Sequence, residues 1–157
     1  MVNFLEQLVA EWYEFNGYFV RRNVRVGPRA RGGFEGELDI VAIHPARKHL
    51  VHVEPSMDAD RWDEREGKFR RKFAAGKRYI PELFAGIALP AEIEQTALLV
   101  TGGAANRSTI GGGRLMMIQE LMDQIRTQLV GRRVDKAAIP EQYVILRALQ
   151  FAANYWR

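Results

Sequence analysis

Two acidic residues, Asp39 and Glu54, lie in consecutive apolar runs of the chain and could share one cation. The runs, residues 37–43 and 49–54, are rich in β-forming residues and flank a turn that contains Pro45, a pattern typical of a β-hairpin. If the connection holds an even number of residues, both carboxylates lie on the same face; an odd number places them on opposite faces. Directly opposed residues have Cβ atoms about 4.5–5.5 Å apart and diagonal neighbours about 7–8 Å, and both spacings suit two carboxylates that bind one hard cation. The alternative is that both residues are ordinary polar groups on a solvated sheet face.

The donor atoms near this pair indicate the kind of cation. The chain contains no cysteine, which excludes zinc–thiolate sites and disulfides. Oxygen-only ligation favours Mg²⁺ or Mn²⁺ over Zn²⁺. Next to a phosphodiester, such a cation can polarise the phosphorus centre and supply hydroxide for in-line attack. Without a cation, two carboxylates placed opposite each other would destabilise the hairpin.

The hydrophobic pattern predicts one α/β domain over residues 1–157, with a central mixed sheet flanked by helices. Runs with helical spacing predict helices, and short runs of β-branched and aromatic residues predict strands, in the order α-β-β-β-α-β-α-α. Asn3 is a suitable N-cap for the first helix. In chain order, the predicted elements are a helix at 3–16, strands at 18–26, 37–43 and 49–54, a helix at about 60–83, a strand at 95–101, and helices at 114–130 and about 140–155, with a mobile loop at 27–36 and a glycine-rich connection at 102–113.

Basic residues concentrate in two segments of the chain. The whole sequence has 23 Lys and Arg against 19 Asp and Glu, a net charge of +4. Residues 21–31 contain five arginines and no acid, and residues 61–78 contain eight basic residues against three acidic ones. Such local excess favours a nucleic-acid partner through phosphate contacts and counterion release; the alternative is a solvated helix face and a basic loop. The residues expected to contact nucleic acid are Arg21, Arg22, Arg25, Arg29, Arg31, Arg70, Arg71 and, in the glycine-rich connection, Arg107.

Three motifs together resemble the PD-(D/E)XK nuclease superfamily and, within it, the archaeal-type Holliday junction resolvases. That pattern has an early glutamate in an N-terminal helix, an acidic residue that opens the second core strand, and E-x-K at the end of the third. The matching pieces are Glu6 in the first helix, Asp39 in Gly36-Glu37-Leu38-Asp39-Ile40-Val41-Ala42, and Glu54 in His52-Val53-Glu54-Pro55-Ser56. The resemblance covers residues 3–101. It implies a restriction endonuclease-like fold, Mg²⁺- or Mn²⁺-dependent cleavage of DNA, and Glu6, Asp39 and Glu54 as metal ligands.

Two residues of these motifs have competing interpretations. Glu6 stands three residues after Asn3, where a capping-box acid belongs, and that role needs no metal. His52 lies on the predicted face of Glu54 and could reach the phosphate or the water, although a histidine at such a position is more often an ordinary sheet residue.

The chain departs from the family pattern at Ser56, which stands where the family carries its lysine. The family lysine is thought to orient the attacking water and stabilise charge on the phosphate, a role that a hydroxyl cannot replace. Three interpretations follow. Lys68 or Lys72, on the next predicted helix, supplies the charge instead; serine is tolerated with lower activity; or the site has decayed and leaves a module that binds nucleic acid or a protein partner.

The last predicted helix carries more apolar residues than one buried face requires. Core packing accounts for part of this surface; a homodimer interface or contact with another subunit is the alternative. The absence of cysteine, of a recognisable secretory signal and of an apolar run long enough to span a bilayer favours a cytoplasmic protein without a membrane partner. The apolar residues of this helix include Tyr143, Val144, Leu146, Leu149, Phe151, Ala152, Tyr155 and Trp156.

Overall fold

The computed structural model of the protein describes residues 3–104 and 106–156, in which five helices and six strands form. In chain order these are α1 (Phe4–Phe15), β1 (Phe19–Pro28), β2 (Phe34–His44), β3 (His49–Ser56), α2 (Trp62–Leu83), β4 (Glu94–Leu99), β5 (Thr109–Ile110), β6 (Gly113–Met117), α3 (Ile118–Leu129), α4 (Val134–Ala137) and α5 (Val144–Tyr155).

The strands form one mixed sheet in the order β1-β2-β3-β4-β6-β5. Strands β1, β2 and β3 are antiparallel neighbours, β3, β4 and β6 run parallel, and β5 pairs antiparallel with β6. The parallel pair β3–β4 needs a long crossover, which α2 provides. The protein is therefore an α/β structure with a six-stranded mixed sheet flanked by helices, as the hydrophobic pattern predicts.

Each face of the sheet is covered by a different set of helices. On one face, α1, α3 and α5 bury Leu8, Ile125 and Leu146 against β-strand residues such as Ile40 and Val53. On the other face, α2 packs through its aromatic and aliphatic residues Phe69, Phe73 and Ile80. Across residues 3–104 and 106–156, no helix combines the length and the apolar character needed to cross a bilayer.

A buried carboxylate joins the first and last helices. Glu11, in α1, is almost fully buried, and its Oε2 accepts hydrogen bonds from the backbone N–H of Ile145 (3.0 Å) and Leu146 (3.1 Å). These N–H groups lie in the first turn of α5 and have no partner within that helix. The carboxylate also lies at the positive end of the helix dipole. Glu11 therefore caps α5 from a position 134 residues earlier in the chain.

The structure differs from the sequence prediction at several boundaries. Residues 27–36 do not form a mobile loop, because β1 continues to Pro28 and β2 begins at Phe34. Residues 114–117, predicted as the start of a helix, belong to strand β6, since they complete the parallel ladder beside β4. The last helix begins at Val144, not at Pro140.

Pro55 does not end β3, although the sequence predicts a strand that stops at residue 54. The strand extends to Ser56, and Pro55 lies opposite Leu98 of β4. On its other side, the pairing of β3 with β2 ends at Val53. The strand therefore needs no backbone donor from Pro55 on that side, and a proline is tolerated there.

Helix α2 approaches the sheet closely at a glycine. A Cβ atom at Gly76 would lie 2.3 Å from Nδ1 of His52 and 2.9 Å from Nε2 of Gln95. Both side chains are buried, so neither can move away without leaving the core. Only glycine allows this helix–sheet distance.

The substitution Gly76→Ala should therefore destabilise the protein, although alanine favours helices. We expect the free energy of unfolding in urea to fall by about 1–3 kcal/mol, the usual cost of overpacking a core. Gly67→Ala is the matched control, because it lies in the same helix and its Cβ would meet only Arg71 Nη1, at 3.5 Å. That variant should gain about 0.5–1 kcal/mol, and a gain from both substitutions would contradict the close approach at Gly76.

Candidate functional site

Asp39 and Glu54 face each other where the sheet divides. The β2–β3 ladder runs from His44 opposite His49 to Ile40 opposite Val53, and the four residues 45–48 make the connection even, as the shared-face arrangement requires. One step further, the backbone N–H of Asp39 donates to Glu54 Oε1 at 3.1 Å. Beyond this point β2 pairs only with β1, and β3 only with β4. Both carboxylates are buried in the resulting cleft.

The ammonium group of Lys72 lies between the two carboxylates. Its Nζ donates to Asp39 Oδ2 at 3.1 Å and to Glu54 Oε2 in a short hydrogen bond. Lys72 is on α2, one turn after Lys68, which instead donates to Asp58 Oδ2 at 2.5 Å. Of the two lysines that the sequence offered as substitutes for the family lysine, Lys72 is the one that contacts the pair.

The shared environment acts on the two carboxylates in opposite ways. Burial raises the pKa of Asp39, and the hydrogen bond and the charge of Glu54 raise it further, although Lys72 opposes the shift. Burial would also raise the pKa of Glu54, but hydrogen bonds with His52 and Asp39, together with the charge of Lys72, outweigh it, so the pKa of Glu54 is lowered. The site therefore holds one firmly ionised carboxylate and one that takes up a proton more readily.

The pKa of Lys72 is raised despite its partial burial. Burial alone would lower it, but the charges and hydrogen bonds of Glu54 and Asp39 dominate. The ammonium group therefore stays charged at neutral pH and compensates the buried carboxylates.

Glu6 lies near this pair without joining it. Asn3 caps α1, as predicted, by accepting from the N–H of Leu5 at 2.9 Å. Among the described residues, Oε2 of Glu6 is buried without a hydrogen-bond partner, so this oxygen does not complete a capping box. Burial raises the pKa of Glu6, Lys72 lowers it, and the negative charges of Glu37 and Glu54 raise it. Glu6 is therefore within electrostatic range of the cleft.

Ser56 shapes the chain that leaves β3. Its Oγ accepts from the backbone N–H of Asp58 at 3.2 Å. Arg65, buried in α2, holds the same segment by donating to the carbonyl oxygens of Asp58 at 2.9 Å and Thr101 at 3.2 Å. The hydroxyl of Ser56 has a local structural role in this turn, and it brings no positive charge to the cleft.

A buried histidine and glutamine complete the surroundings of Glu54. His52 Nε2 lies 2.8 Å from Glu54 Oε1, and Gln95 Nε2 lies 3.1 Å from His52 Nδ1. The period-2 spacing of His52 and Glu54 on one strand indicates this neighbour from sequence alone. Gln95 is on β4, and no motif in the sequence points to it, because parallel strand pairing brings it next to His52.

The donor set matches a hard divalent cation only in part. Within residues 3–104 and 106–156, no group of three or more metal-binding side chains converges on one point. Asp39 and Glu54 offer two carboxylates, as Mg²⁺ and Mn²⁺ prefer, and such ions usually keep water and phosphate oxygens as their other ligands. The buried, partnerless oxygen of Glu6 is a further acidic donor near the cleft. Asp39 and Glu54 would therefore supply two ligands to a cation, and the ammonium group of Lys72 lies between them in this structure.

The arginines predicted to contact nucleic acid do not form one continuous group. Arg22 pairs with Glu14 at 3.2 Å, Arg70 pairs with Glu66 at 2.9 Å, and Arg107 lies over the ring of Trp62. Arg21, Arg25 and Arg71 are exposed on β1 and α2. Arg29 and Arg31 lie in the turn that joins β1 to β2.

That turn belongs to an exposed hairpin tip, residues 28–35, in which every residue is exposed. The backbone N–H of Arg29 donates to the carbonyl of Gly33 at 2.9 Å, which closes the turn. Among the described residues, neither Arg29 nor Arg31 has a carboxylate within ion-pairing distance. The tip therefore presents two uncompensated positive charges on an ordered ribbon.

The C-terminal helix is only partly covered. Leu146 and Gln150 of α5 are buried, whereas Val144, Phe151 and Tyr155 are exposed and Trp156 is 83% exposed. A homodimer through this helix stays a prediction, as does contact with another subunit.

A scan of protein-family models and a search of curated proteins found no match to this chain. The motif resemblance stated above and the geometry of the cleft are therefore the two grounds for a functional proposal.

The pKa shifts predict how stability depends on pH. The folded protein holds the proton of Asp39 more tightly than the unfolded chain, so this group makes the free energy of unfolding fall as the pH rises above its ordinary value of about 4. The lowered pKa of Glu54 affects stability only at more acidic pH, because protonation of Glu54 there removes the stabilisation that its ionised form provides. The free energy of unfolding of Asp39→Asn, measured in urea, should therefore rise relative to that of the wild type by about 1–3 kcal/mol as the pH increases from about 5 to about 8. Asp63→Asn, which changes an exposed acid, should follow the wild type, and an Asp39→Asn curve parallel to both would refute the shift.

Proposed function

We propose that this protein is a metal-dependent endonuclease that cleaves DNA, with a restriction endonuclease-like fold. The observation that carries the proposal is the buried Asp39–Glu54 pair at the division of the sheet, contacted by the ammonium group of Lys72. Two carboxylates and a lysine are the chemical components of the PD-(D/E)XK motif. Here the lysine comes from α2 and takes the place of the family lysine, for which Ser56 cannot substitute.

Each residue of the cleft then has a distinct role. Asp39 and Glu54 would hold Mg²⁺ or Mn²⁺, which supplies Lewis acidity and an activated water when bound. Lys72 contributes a positive charge that stabilises negative charge on the phosphate. Glu6, on α1, would be a third ligand of the cation, which would give its buried oxygen a partner.

The exposed hairpin tip supplies a contact for the nucleic acid. Strands β1 and β2 continue as a two-stranded ribbon beyond the cleft, and the tip carries Arg29 and Arg31. A two-stranded ribbon fits the major groove of duplex DNA, and arginines on it can contact phosphates. The basic residues of α2, including Arg70 and Arg71, provide a second contact surface.

A decayed nuclease fold is the second candidate, and one observation favours it. Lys72 already pairs with both carboxylates, so part of their negative charge is compensated without a metal. Such a protein would bind nucleic acid or a protein partner without cutting. Calorimetry with Mn²⁺ separates the candidates: an intact site binds the ion and loses it in Asp39→Ala, whereas a decayed site binds none.

The nuclease proposal predicts metal-dependent cleavage that requires Glu54 and Lys72. Plasmid, single-stranded and four-way-junction DNA should be incubated with Mg²⁺ or Mn²⁺. Glu54→Ala should abolish cutting, and Lys72→Met should slow it by about 10²–10³-fold, the usual effect of removing a group that stabilises transition-state charge. Lys68→Met is the matched control and should keep most activity. No cutting of any substrate, with DNA still retained in a gel shift, would favour the decayed binding module.

The hairpin tip predicts a specific change in salt dependence. The double variant Arg29→Ala/Arg31→Ala should bind DNA more weakly and reduce the slope of log affinity against log salt by about 2, since each lost phosphate contact removes about 0.9. Arg133→Ala/Lys136→Ala removes the same charge from the α3–α4 region and should leave the slope unchanged. Equal slopes for both double variants would exclude the tip as a phosphate contact.

The basic surface of α2 is tested separately. Charge reversal in Arg70→Glu/Arg71→Glu should weaken DNA binding and flatten its salt dependence. An unchanged salt slope would remove this helix from the nucleic-acid interface.

A further inference from the structure

We infer that His52 is a positioning residue for Glu54, and that Gln95 holds the imidazole in the orientation in which it donates. The inference deepens the proposed function and rests on it, because it concerns how one of the two cation-binding carboxylates is oriented. It is carried by a chain of four buried groups that runs from α2 through β4 and β3 to the cleft.

The chain starts at a backbone carbonyl of α2. The amide nitrogen of Gln95 lies 2.8 Å from the carbonyl oxygen of Phe73. A carbonyl oxygen can only accept, so this contact fixes which end of the Gln95 amide carries the N–H₂ group. The amide therefore presents a donor, not an acceptor, to its other neighbour.

That neighbour is His52. Gln95 Nε2 lies 3.1 Å from His52 Nδ1, and since the amide donates, Nδ1 must accept and carries no proton. The proton of the neutral imidazole then lies on Nε2. Nε2 is 2.8 Å from Glu54 Oε1, so His52 donates to the carboxylate.

Glu54 Oε1 accepts a second hydrogen bond, from the backbone N–H of Asp39 at 3.1 Å. Two fixed donors thus hold this oxygen inside the protein. The other oxygen, Oε2, is the one that meets the ammonium group of Lys72. The carboxylate therefore presents a single, fixed oxygen to the position of positive charge in the cleft.

The surrounding atoms hold the imidazole ring of His52 in one orientation. His52 and Glu54 are both fully buried. The imidazole packs edge-on against Phe73, with ring centres 5.5 Å apart, and Gly76 lies against its Nδ1 edge. Rotation of the ring would leave Glu54 and Gln95 with buried, unsatisfied polar atoms, which is costly. Groups that hold a metal-binding carboxylate by hydrogen bonds orient it and thereby tune the affinity of the site for the metal.

The test begins with the metal-free wild type. Nitrogen-15 NMR of the imidazole should show His52 as the neutral tautomer with its proton on Nε2. In Gln95→Met, which keeps the histidine but removes its donor, the proton should stay on Nε2, because Glu54 only accepts, and the Nδ1 signal should shift through the loss of its hydrogen bond. A wild-type proton on Nδ1 would overturn the inference.

Mn²⁺ calorimetry then separates positioning from simple core packing. His52→Met should weaken Mn²⁺ binding about 10–100-fold, as loss of a supporting hydrogen bond does. His52→Gln, whose amide can donate from near the position of Nε2, should recover most of that loss. Urea unfolding of both variants provides the comparison of stability. Wild-type affinity in His52→Met, or an equal loss in both variants at equal stability, would show that His52 does not position Glu54.

A crystal structure of metal-free His52→Met distinguishes this inference from the proposed function. If the wild type binds no Mn²⁺, the nuclease proposal fails, and the orientation of Glu54 still decides the role of His52. A carboxylate rotated away from Lys72 in the variant supports positioning; an unmoved one overturns it. If His52→Met binds Mn²⁺ like the wild type, the inference fails and the nuclease proposal stands.

Discussion

The charge of Lys72 makes the centre of this structure possible. Two carboxylates that face each other in a buried cleft repel one another and lose their hydration, and each ion removed from water costs several kcal/mol. The ammonium group between them offsets both effects in part, because it donates to one oxygen of each, while the pKa of Asp39 stays raised. Since Lys72 is on α2, this compensation requires the helix to lie at a fixed height over the sheet. The glycine at position 76 permits that height, and the aromatic residues on either side of Lys72 hold it by packing.

The division of the sheet explains why a polar cleft can exist inside an otherwise apolar core. Strands β2 and β3 stay paired up to Ile40 and Val53 and then follow different partners. Backbone groups that would have joined the two strands are released at this point. One of them, the N–H of Asp39, is used to hold Glu54. A fold that separates two strands thus frees a backbone donor, which orients one of the two facing carboxylates.

The sequence predicts the position of the carboxylate pair, but it does not predict which residues surround the pair. Alternation of apolar residues and the length of the turn place Asp39 opposite Glu54, because antiparallel register follows from local spacing. Lys68 and Lys72 lie on the same face of α2, so the choice between them depends on where the helix lies along its axis over the sheet, which local patterns do not specify. Gln95 was missed for a related reason: its contact with His52 is made across a parallel strand pair joined by a long crossover. Residues 114–117 were predicted as helix because their apolar spacing is compatible with both structures, and only pairing with β4 selects the strand.

Glu11 has a consequence for how the chain folds during synthesis. Its carboxylate is buried under α5 and has its backbone partners at Ile145 and Leu146. Until those residues leave the ribosome, α1 carries an acid on its apolar face with nothing to receive it, and the core on that side of the sheet stays open to water. The contact between Glu11 and α5 can close only when almost all of the chain between them is ordered. Contacts between residues so far apart in sequence form slowly. The part of the domain that contains β3, β4 and α2 can form earlier, so the helices on the two faces of the sheet pack at different times.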